Sequence, residues 1–271
     1  MSQLTANLTG VPRTLMLPLR GRADEQSYSR PLFQDPLAVE WLKVLGWDEE
    51  LEALYSQLGK AASITVATRT YHHDQITSRH IASHSRPVVV ELGAGLSSRF
   101  HRVGQNAYRW FELDLPVVTE LRRQLDTPTE QHQFISASVM DFSWMDAIAN
   151  DVEPENILFI AEGLLMYLEP NEVKQLINAM RSRFPGATLD VEVLGNYMRK
   201  PGKGFSKIGA PFKWFVNNEG DLTAMGLKVI NSGSISELYL ERWPWQWRLP
   251  WALLGQFPYF RNSYLIVETK L

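Results

Sequence analysis

Two glycines and two acids stand where a β-sheet could bind a nucleoside. Val88-Val89-Val90-Glu91-Leu92 is an apolar run with a single acid, and it leads into Gly93-Ala94-Gly95. Such a run predicts a buried parallel strand, and the glycines predict a tight turn at its carboxyl end. Asp114 ends the next apolar run, at the spacing of about 20 residues where an acid accepts hydrogen bonds from ribose hydroxyls. We therefore expect the main-chain amides of the turn and the carboxylate of Asp114 to face a nucleoside-type cofactor.

The glycine spacing favours one cofactor over another. The dinucleotide fingerprint has a third glycine, and Ser98 stands in that place here. An acid before the glycine pair, a missing third glycine and an acid at the end of the next strand together favour S-adenosylmethionine over NAD. An NAD-dependent oxidoreductase and a non-catalytic binding protein with the same fold remain the alternatives at this point.

The composition is that of a globular protein. Of the 271 residues, 45% are hydrophobic and 21% are charged, which argues against disorder. The formal net charge of −3 predicts neither a nucleic-acid partner nor a membrane partner. The chain has no cysteine, no apolar run of the ~20 residues that span a bilayer, and no secretory pattern in residues 1–10. We expect a cytoplasmic protein, as a monomer or a homodimer.

The order of predicted elements indicates an α/β fold. Strands are predicted at 88–92, 108–113, 133–136, 157–161, 188–193, 227–231 and 263–268, and helices at 37–44, 51–58, 64–83, 116–125 and 170–184. Alternating strands and helices predict a mostly parallel sheet of seven strands with helices on both faces. The last two strands have no long helix between them, which predicts an antiparallel edge. Residues 1–85 are predicted to form a helical cap that is integral to the fold, and 86–271 the main domain.

Three segments, taken in order, resemble the leucine carboxyl methyltransferase family. They are Glu91-Leu92-Gly93-Ala94-Gly95, Phe111-Glu112-Leu113-Asp114-Leu115-Pro116 and Ala161-Glu162-Gly163-Leu164-Leu165-Met166-Tyr167-Leu168. The resemblance is greatest to the bacterial branch of O-methyltransferases associated with polyketides and other secondary metabolites. It implies a Rossmann-like class I methyltransferase fold that binds S-adenosylmethionine across the strand ends.

The resemblance also implies roles for individual residues. Arg69 matches the arginine that binds the methionine carboxylate, Asp114 the ribose acid, and Glu162 the acid after the fourth strand. An adenine-side pair falls on Ser138 and Val139, with Asp141 as the alternative acid, and a second cation near the amino terminus falls on Arg20 or Arg22. The residues predicted to contact the cofactor are Arg22, Arg69, Glu91, Gly93, Ala94, Gly95, Asp114, Leu115, Ser138, Val139, Asp141, Glu162 and Gly163.

The resemblance predicts methyl transfer to a carboxyl or hydroxyl oxygen of a small aromatic or polyketide-type molecule. A carboxylate acceptor is ionised at neutral pH and needs no general base, whereas a phenol would need one nearby. His73 is a candidate base, and Tyr167 is a candidate to face the reacting methyl group. No metal is expected. The alternative within this chemistry is that the enzyme methylates the terminal carboxylate of another protein.

Two segments outside the cofactor site are candidates for binding the acceptor. Residues 195–225 are predicted to be an acceptor-binding insertion, and 199–207 within it form a basic loop that is either solvated or a gate for an acidic acceptor. Four tryptophans at 243, 245, 247 and 251 are predicted to pack in the core, with a flat wall for an aromatic acceptor as the alternative.

Overall fold

The computed structural model describes residues 8–149 and 152–271. Its strands are β1 Val88–Leu92, β2 Arg109–Asp114, β3 His132–Ser136, β4 Ile157–Ala161, β5 Thr188–Leu194, β6 Lys228–Ser234 and β7 Tyr264–Lys270. They form one sheet in the order β3-β2-β1-β4-β5-β7-β6. The first five strands run parallel, and β7 pairs antiparallel with both β5 and β6. The predicted mostly parallel sheet with an antiparallel edge is confirmed.

The α-helices are α1 Met16–Glu25, α2 Pro36–Leu45, α3 Glu49–Ser83, α4 Pro116–Leu125, α5 Trp144–Ile148, α6 Pro170–Arg183, α7 Gly220–Ala224, α8 Trp245–Leu254 and α9 Pro258–Arg261. The carboxylate of Asp35 accepts from the Ala38 N–H over 3.0 Å and so caps α2, whose first residue is Pro36. The two helices predicted at 51–58 and 64–83 are one run, α3, which leaves helical geometry at Gly59. Among the described helices, none combines the length and the apolar character needed to cross a bilayer.

Alternate residues of the central strands enter two different apolar cores. Val88 and Val90 of β1 pack with α5 and α6, whereas Val89 packs with Ile64 and Ile76 of α3. This alternation follows from the two-residue period of a strand that is covered on both faces. As a result, side chains on the α3 face of the sheet can meet residues of α3 directly, and the polar residues of the site do so.

The predicted cap shares its core with the rest of the chain. Leu19 of α1 and Trp41 of α2 belong to one buried cluster with Leu96, Val118 and Leu121. These last three lie in the loop after β1 and in α4. Residues 1–7 of the predicted cap lie outside the described residues.

Candidate active site

A cavity of about 640 Å³ lies at the carboxyl ends of β1, β2, β4 and β5. The strand order reverses between β1 and β4, and in an open α/β sheet this is where ligands bind. The cavity lining includes most of the residues predicted to hold the cofactor: Arg22, Arg69, Glu91, Gly93, Ala94, Gly95, Asp114, Leu115, Ser138, Val139, Glu162 and Gly163. The fold therefore brings together residues that are far apart in sequence.

The turn after β1 depends on glycine in a specific way. Gly93 and Gly95 have φ angles of 66° and 56°, in the left-handed region that glycine adopts without strain. A Cβ atom on Gly93 would lie 2.9 Å from Leu164 Cδ1, too close for a real contact. The N–H groups of Gly93 and Ala94 donate to the Leu113 carbonyl over 2.8 and 3.1 Å. The expectation that these amides face the cofactor is therefore wrong, because the Leu113 carbonyl of β2 already accepts their hydrogen bonds. The turn instead offers the cofactor a backbone surface with few side-chain atoms.

Asp114 is fixed to the same turn. Its Oδ2 accepts from the Gly95 N–H over 2.7 Å, and its Oδ1 accepts from the Leu115 N–H over 2.7 Å. Burial raises the pKa of Asp114 to about 6 in spite of these two hydrogen bonds, which favour the charged form. A carboxylate has about four acceptor positions, so two stay available in a residue that lines the cavity. A ribose diol would supply the two missing donors.

The turn after β3 supplies part of the wall. Ser138 and Val139 line the cavity, as does Leu115 after β2. Asp141 does not line it: the side chain is exposed, and its Oδ1 accepts from the Ser143 N–H over 3.2 Å. Asp141 is therefore a wrong prediction, since the turn that follows β3 carries it away from the cavity.

Arg69 reaches the cavity from α3. Its Nε lies 3.0 Å from Glu162 Oε1, and its Nη1 donates to Glu192 Oε1 over 3.1 Å and to the Tyr264 hydroxyl over 2.9 Å. Burial alone would lower the pKa of Arg69, but the charge of Glu192, with Tyr264 and Glu162, holds it well above its usual value. The residue is therefore a permanent cation held by three side chains from β4, β5 and β7 or their ends.

Glu162 lies between two guanidinium groups. Besides Arg69, it binds Arg99, whose Nη2 donates to Glu162 Oε2. Burial would raise the pKa of Glu162, but the charges of Arg99 and Arg69 outweigh burial and hold it well below 4.5. Glu162 is therefore a carboxylate at neutral pH. Its neighbour Gly163 donates its N–H to Glu192 Oε2 over 3.1 Å.

Arg99 was not predicted as a site residue. It is buried, and its guanidinium donates to Glu91 through Nη1, to Glu162 through Nη2 and to Asp74 through Nε over 2.8 Å. The available signal was Glu91 itself, because an acid inside a buried strand requires a cation nearby. The sequence did not indicate which arginine would supply it.

Glu192 and Tyr264 were also missed, although both line the cavity. The Tyr264 hydroxyl donates to Glu192 Oε1, the oxygen that also accepts from Arg69. The signal for Glu192 lay in β5, where Asp190 and Glu192 alternate with apolar residues in a strand that is buried throughout. Acids two residues apart point to one face, and here that face meets α3.

Of the two cations predicted near the amino terminus, Arg22 reaches the cavity lining and Arg20 does not. Arg22 donates to Asp35 Oδ2 over 3.0 Å and to the Leu96 carbonyl. Burial lowers the pKa of Arg22 below its usual value. Arg20 instead pairs with Asp24 over 2.8 Å on α1.

Of the two candidate catalytic residues, only Tyr167 reaches the cavity. Tyr167 lines the cavity, its ring lies 5.4 Å from that of Phe212, and burial raises its pKa to about 12. His73 does not line the cavity: it is fully buried, with Nδ1 2.6 Å from Asp190 Oδ2. Burial would lower the pKa of His73, but Asp190 outweighs burial and raises it. His73 as a general base is therefore a wrong prediction, because the side chain pairs with Asp190 behind the cavity wall.

Apolar side chains form much of the remaining lining. They come from α1, from the first half of α3, from the turn after β4 and from the predicted insertion: Leu15, Leu17, Pro18, Leu58, Val66, Leu164, Met166, Leu168, Met198, Phe205 and Phe212. Three of these, Met198, Phe205 and Phe212, lie within 195–225. Of the four tryptophans, Trp243, Trp245 and Trp247 are absent from the lining, and the side chain of Trp251 lies outside the described part of the chain.

The charged lining fits S-adenosylmethionine. Its carboxylate needs a cation, its ammonium an acid, its ribose a pair of acceptors and its adenine an apolar slot. Arg69, Glu162 and Asp114 meet the first three needs, and charge-assisted hydrogen bonds of this kind are the stronger ones. Arg69 Nε is a buried nitrogen without a hydrogen-bond partner of good geometry, which indicates that its pairing is incomplete. Leu115, Ser138 and Val139 would border the adenine.

Solved structures confirm the fold. A Thermobifida fusca protein named as a methyltransferase matches with a TM-score of 0.64 at 13% identity, covering 99% of this chain and 97% of that one. The magnesium protoporphyrin IX methyltransferase ChlM from Synechocystis, solved with bound S-adenosylhomocysteine, matches with a TM-score of 0.51 at 12% identity, covering 85% and 91%. At these identities the likeness shows the class I methyltransferase fold alone.

Sequence comparisons show the family. The model of the leucine carboxyl methyltransferase family matches residues 16–181. The tetracenomycin polyketide synthesis O-methyltransferase TcmP of Streptomyces glaucescens is 30% identical over 226 residues, covering 80% of each chain. The S-adenosyl-L-methionine-dependent methyltransferase dpfgK of Gibberella zeae is 24% identical over 238 residues, covering 79% of this chain and 78% of the relative. The chain therefore belongs to the leucine carboxyl methyltransferase family and is an S-adenosylmethionine-dependent O-methyltransferase.

Proposed function

We propose that the enzyme methylates a carboxyl or hydroxyl oxygen of a small aromatic or polyketide-type molecule. The observation that carries the proposal is one cavity with two kinds of lining: the charged residues suited to the cofactor, and the aromatic and aliphatic residues of 164–168 and 195–225. Concave, mostly apolar sites of several hundred Å³ are typical of small-molecule binding. The relationship to TcmP, a polyketide synthesis O-methyltransferase, supports the same acceptor class.

The cavity chemistry favours an acceptor that is easily ionised. None of the described residues that line the cavity is a histidine, and three of the lining acids, Glu91, Glu162 and Glu192, each bind an arginine. The other two, Asp114 and Glu172, accept hydrogen bonds from backbone N–H groups. A carboxylate or an acidic phenol needs no proton removed at neutral pH, so rate would come from alignment and exclusion of water. When bound, the cofactor supplies an electrophilic methyl group on a sulfonium.

Tyr167 is the residue we propose to contact the acceptor. Because its pKa is about 12, the hydroxyl is protonated at neutral pH and acts as a hydrogen-bond donor. A donor of this kind would orient an acceptor carboxylate without competing for a proton. Arg69 and Glu162 would hold the amino-acid part of the cofactor, and Asp114 the ribose.

The proposal is tested by methyl transfer with a labelled methyl donor. The acceptor panel contains aromatic acids, phenols, and peptides with a free terminal carboxylate. We expect labelled product from the aromatic acids or phenols; a product labile to mild base is an ester, and a stable one is an ether. Transfer of the label to the peptides alone would contradict this proposal and indicate that the enzyme methylates the carboxyl terminus of a protein. Binding of the cofactor with no transfer to any acceptor would favour a non-catalytic binding protein. The cytoplasmic location remains a prediction.

A further inference from the structure

Most of the described side chains of helix α8 are exposed. Every residue from 245 to 253 is exposed apart from Trp251, whose side chain lies outside the described part of the chain. Trp245, Leu249 and Leu253 stand four residues apart and are 80%, 67% and 57% exposed, and Phe257 beyond the helix is 60% exposed. The spacing places the first three on one helical face. Trp245 neither packs in the core nor lines the acceptor cavity, so both predictions are wrong for this residue. Trp243, in contrast, is buried.

The same part of the chain lacks acids. Residues 242–263 contain three arginines and no aspartate or glutamate, and residues 195–218 contain five lysines or arginines and again no acid. We call these two segments together the basic-aromatic face. Since the whole chain carries a net charge of −3, the remainder is strongly acidic. The prediction of no membrane partner rested on that total, which conceals the local separation of charge.

The two segments meet in the folded protein. The Tyr197 ring lies 5.5 Å from that of Tyr259 and 5.2 Å from that of Phe260. The side-chain amide of Asn262 donates to the Asn217 carbonyl over 3.1 Å. Helix α9 therefore contacts the segment 195–218 at the outer end of β5 and β7, and α8 lies directly before α9 in the chain.

Most cations of this face are not neutralised within the chain. Lys200, Lys203 and Lys207 are exposed, and among the described residues no carboxylate pairs with them. Arg248 donates to the backbone carbonyls of Trp243 and Glu241 and therefore keeps its charge. The exceptions are Lys213, which lies 3.0 Å from Glu169, Arg242, which pairs with Glu25, and Arg261, which lies 3.5 Å from Glu237.

We propose that the basic-aromatic face docks on the surface of an anionic lipid bilayer. Tryptophan and leucine on an exposed helix, in a segment whose only charged residues are arginines, are the composition of interfacial segments that lie at the boundary of headgroups and acyl chains. The acids next to this face, Glu219, Glu237 and Glu241, lie just outside its two segments. Lysines and arginines near such a surface are attracted by anionic lipids. A helix that exposes Trp245, Leu249 and Leu253 on one face, next to unpaired cations, suits immersion of that face in the headgroup layer.

Docking there would place the membrane beside the acceptor cavity. The segment 195–218 carries Met198, Phe205 and Phe212 of the cavity wall as well as the unpaired lysines. An apolar acceptor that partitions into lipid would then be close to the site. Docking itself does not depend on the proposed acceptor, because it is measured without catalysis.

Vesicle flotation of the full-length enzyme tests the proposal. We expect binding to vesicles of phosphatidylglycerol and phosphatidylcholine, weaker binding to pure phosphatidylcholine, and loss of binding at high salt. The double variants Leu249→Ser/Leu253→Ser and Lys203→Glu/Lys207→Glu should each reduce the bound fraction about tenfold. Val44→Ser/Ile230→Ser removes exposed apolar residues elsewhere and is the matched control, expected to bind like the wild type. Cofactor affinity, measured in parallel, should be unchanged in all three.

Two results would overturn it. One is the absence of vesicle binding at low salt, or binding that the control variant reduces as much as the others. The other is a wild-type protein that does not bind vesicles and is a dimer by light scattering, with the Leu249→Ser/Leu253→Ser variant a monomer. The occupant of the face would then be a second copy of the chain. Because cofactor binding is followed separately, failure of docking and failure of the proposed function are distinguishable.

Discussion

The N–H of Gly95 donates a hydrogen bond to Asp114 Oδ2 over 2.7 Å and ties the turn after β1 to the end of β2. From the sequence, the Gly93–Gly95 turn and Asp114 are two separate elements of a nucleoside site. Here they are one unit, since the position of the carboxylate depends on the conformation of the turn. Gly95 itself has a left-handed φ of 56°, which glycine adopts without strain, so the chain can turn directly after this hydrogen bond.

Replacing Asp114 with asparagine should weaken cofactor binding by roughly 1–3 kcal/mol, about 5- to 150-fold in the dissociation constant, because the diol loses a charged acceptor. Calorimetry with S-adenosylhomocysteine measures the change. The matched control is Asp141→Asn, an exposed acid outside the cavity, which should bind like the wild type. Equal affinities for the Asp114 variant and the wild type would remove Asp114 from the site.

Cofactor affinity should depend on pH through the same residue. Because burial raises the pKa of Asp114 to about 6, the carboxylate loses its charge as the pH falls through that value, and the dissociation constant should rise. Without cofactor, the free energy of unfolding depends on pH in the opposite direction. The raised pKa of Asp114 stabilises the folded protein below pH ~4, and this stabilisation is lost as the pH rises through about 6. Calorimetry across this range on the wild type and on Asp114→Asn tests this; an identical inflection in both would assign it to another group.

Removing the Tyr264 hydroxyl should loosen Arg69. Tyr264→Phe keeps the ring but deletes the hydrogen bonds to Glu192 and Arg69, and bonds to charged groups contribute about 1.5–3 kcal/mol. We expect the KM for the cofactor to rise about tenfold or more with a smaller change in kcat, because Tyr264 acts through Arg69. Tyr108→Phe, far from the cavity, is the control. A fall in kcat with an unchanged KM would instead place the hydroxyl in the chemical step.

His73 should prove structural. His73→Gln leaves Asp190 buried without its partner, which typically costs about 3–5 kcal/mol in the free energy of unfolding. The double variant His73→Gln/Asp190→Asn removes both charges and should recover part of that loss. In both variants kcat per folded molecule should stay within about threefold of the wild type. A loss of about 100-fold or more, with the protein folded, would be the size expected of a general base.

The aromatic lining should determine acceptor binding. Phe212→Ala opens the cavity wall beside Tyr167, so the KM for the acceptor should rise about tenfold while the affinity for the cofactor is unchanged. Phe257→Ala removes an exposed ring outside the cavity and is the control. If Phe212→Ala weakens cofactor binding as strongly as acceptor binding, the two kinds of lining are not separate sites.

The central strands were predictable because their signals are local. β1 and β4 have the predicted bounds, since strands buried on both faces are continuous apolar runs. β6 was predicted at 227–231 but continues to Ser234, because pairing with β7 extends a strand whose own residues are polar. Helix α8 was missed because it contains Pro250 and has no apolar face toward the core.

The site was predictable where a turn or a strand end defines it, as at Gly93, Asp114 and Glu162. The residues that hold Arg69 could not be found in this way, because Glu192 and Tyr264 lie 123 and 195 residues from it in sequence. Their association follows from the pairing of β5 with β7 and the packing of α3 on the sheet, which no local pattern encodes. His73 was misassigned for the converse reason: nothing local revealed that Asp190 lies opposite it.

A crystal structure with S-adenosylhomocysteine is the most direct test of the central claim, that the cavity at the β1–β4 switch point binds the cofactor. We expect the ribose hydroxyls within about 3 Å of the Asp114 carboxylate and the amino-acid part beside Arg69 and Glu162. Density for the ligand at any other place, with this cavity empty, would contradict the assignment of the site.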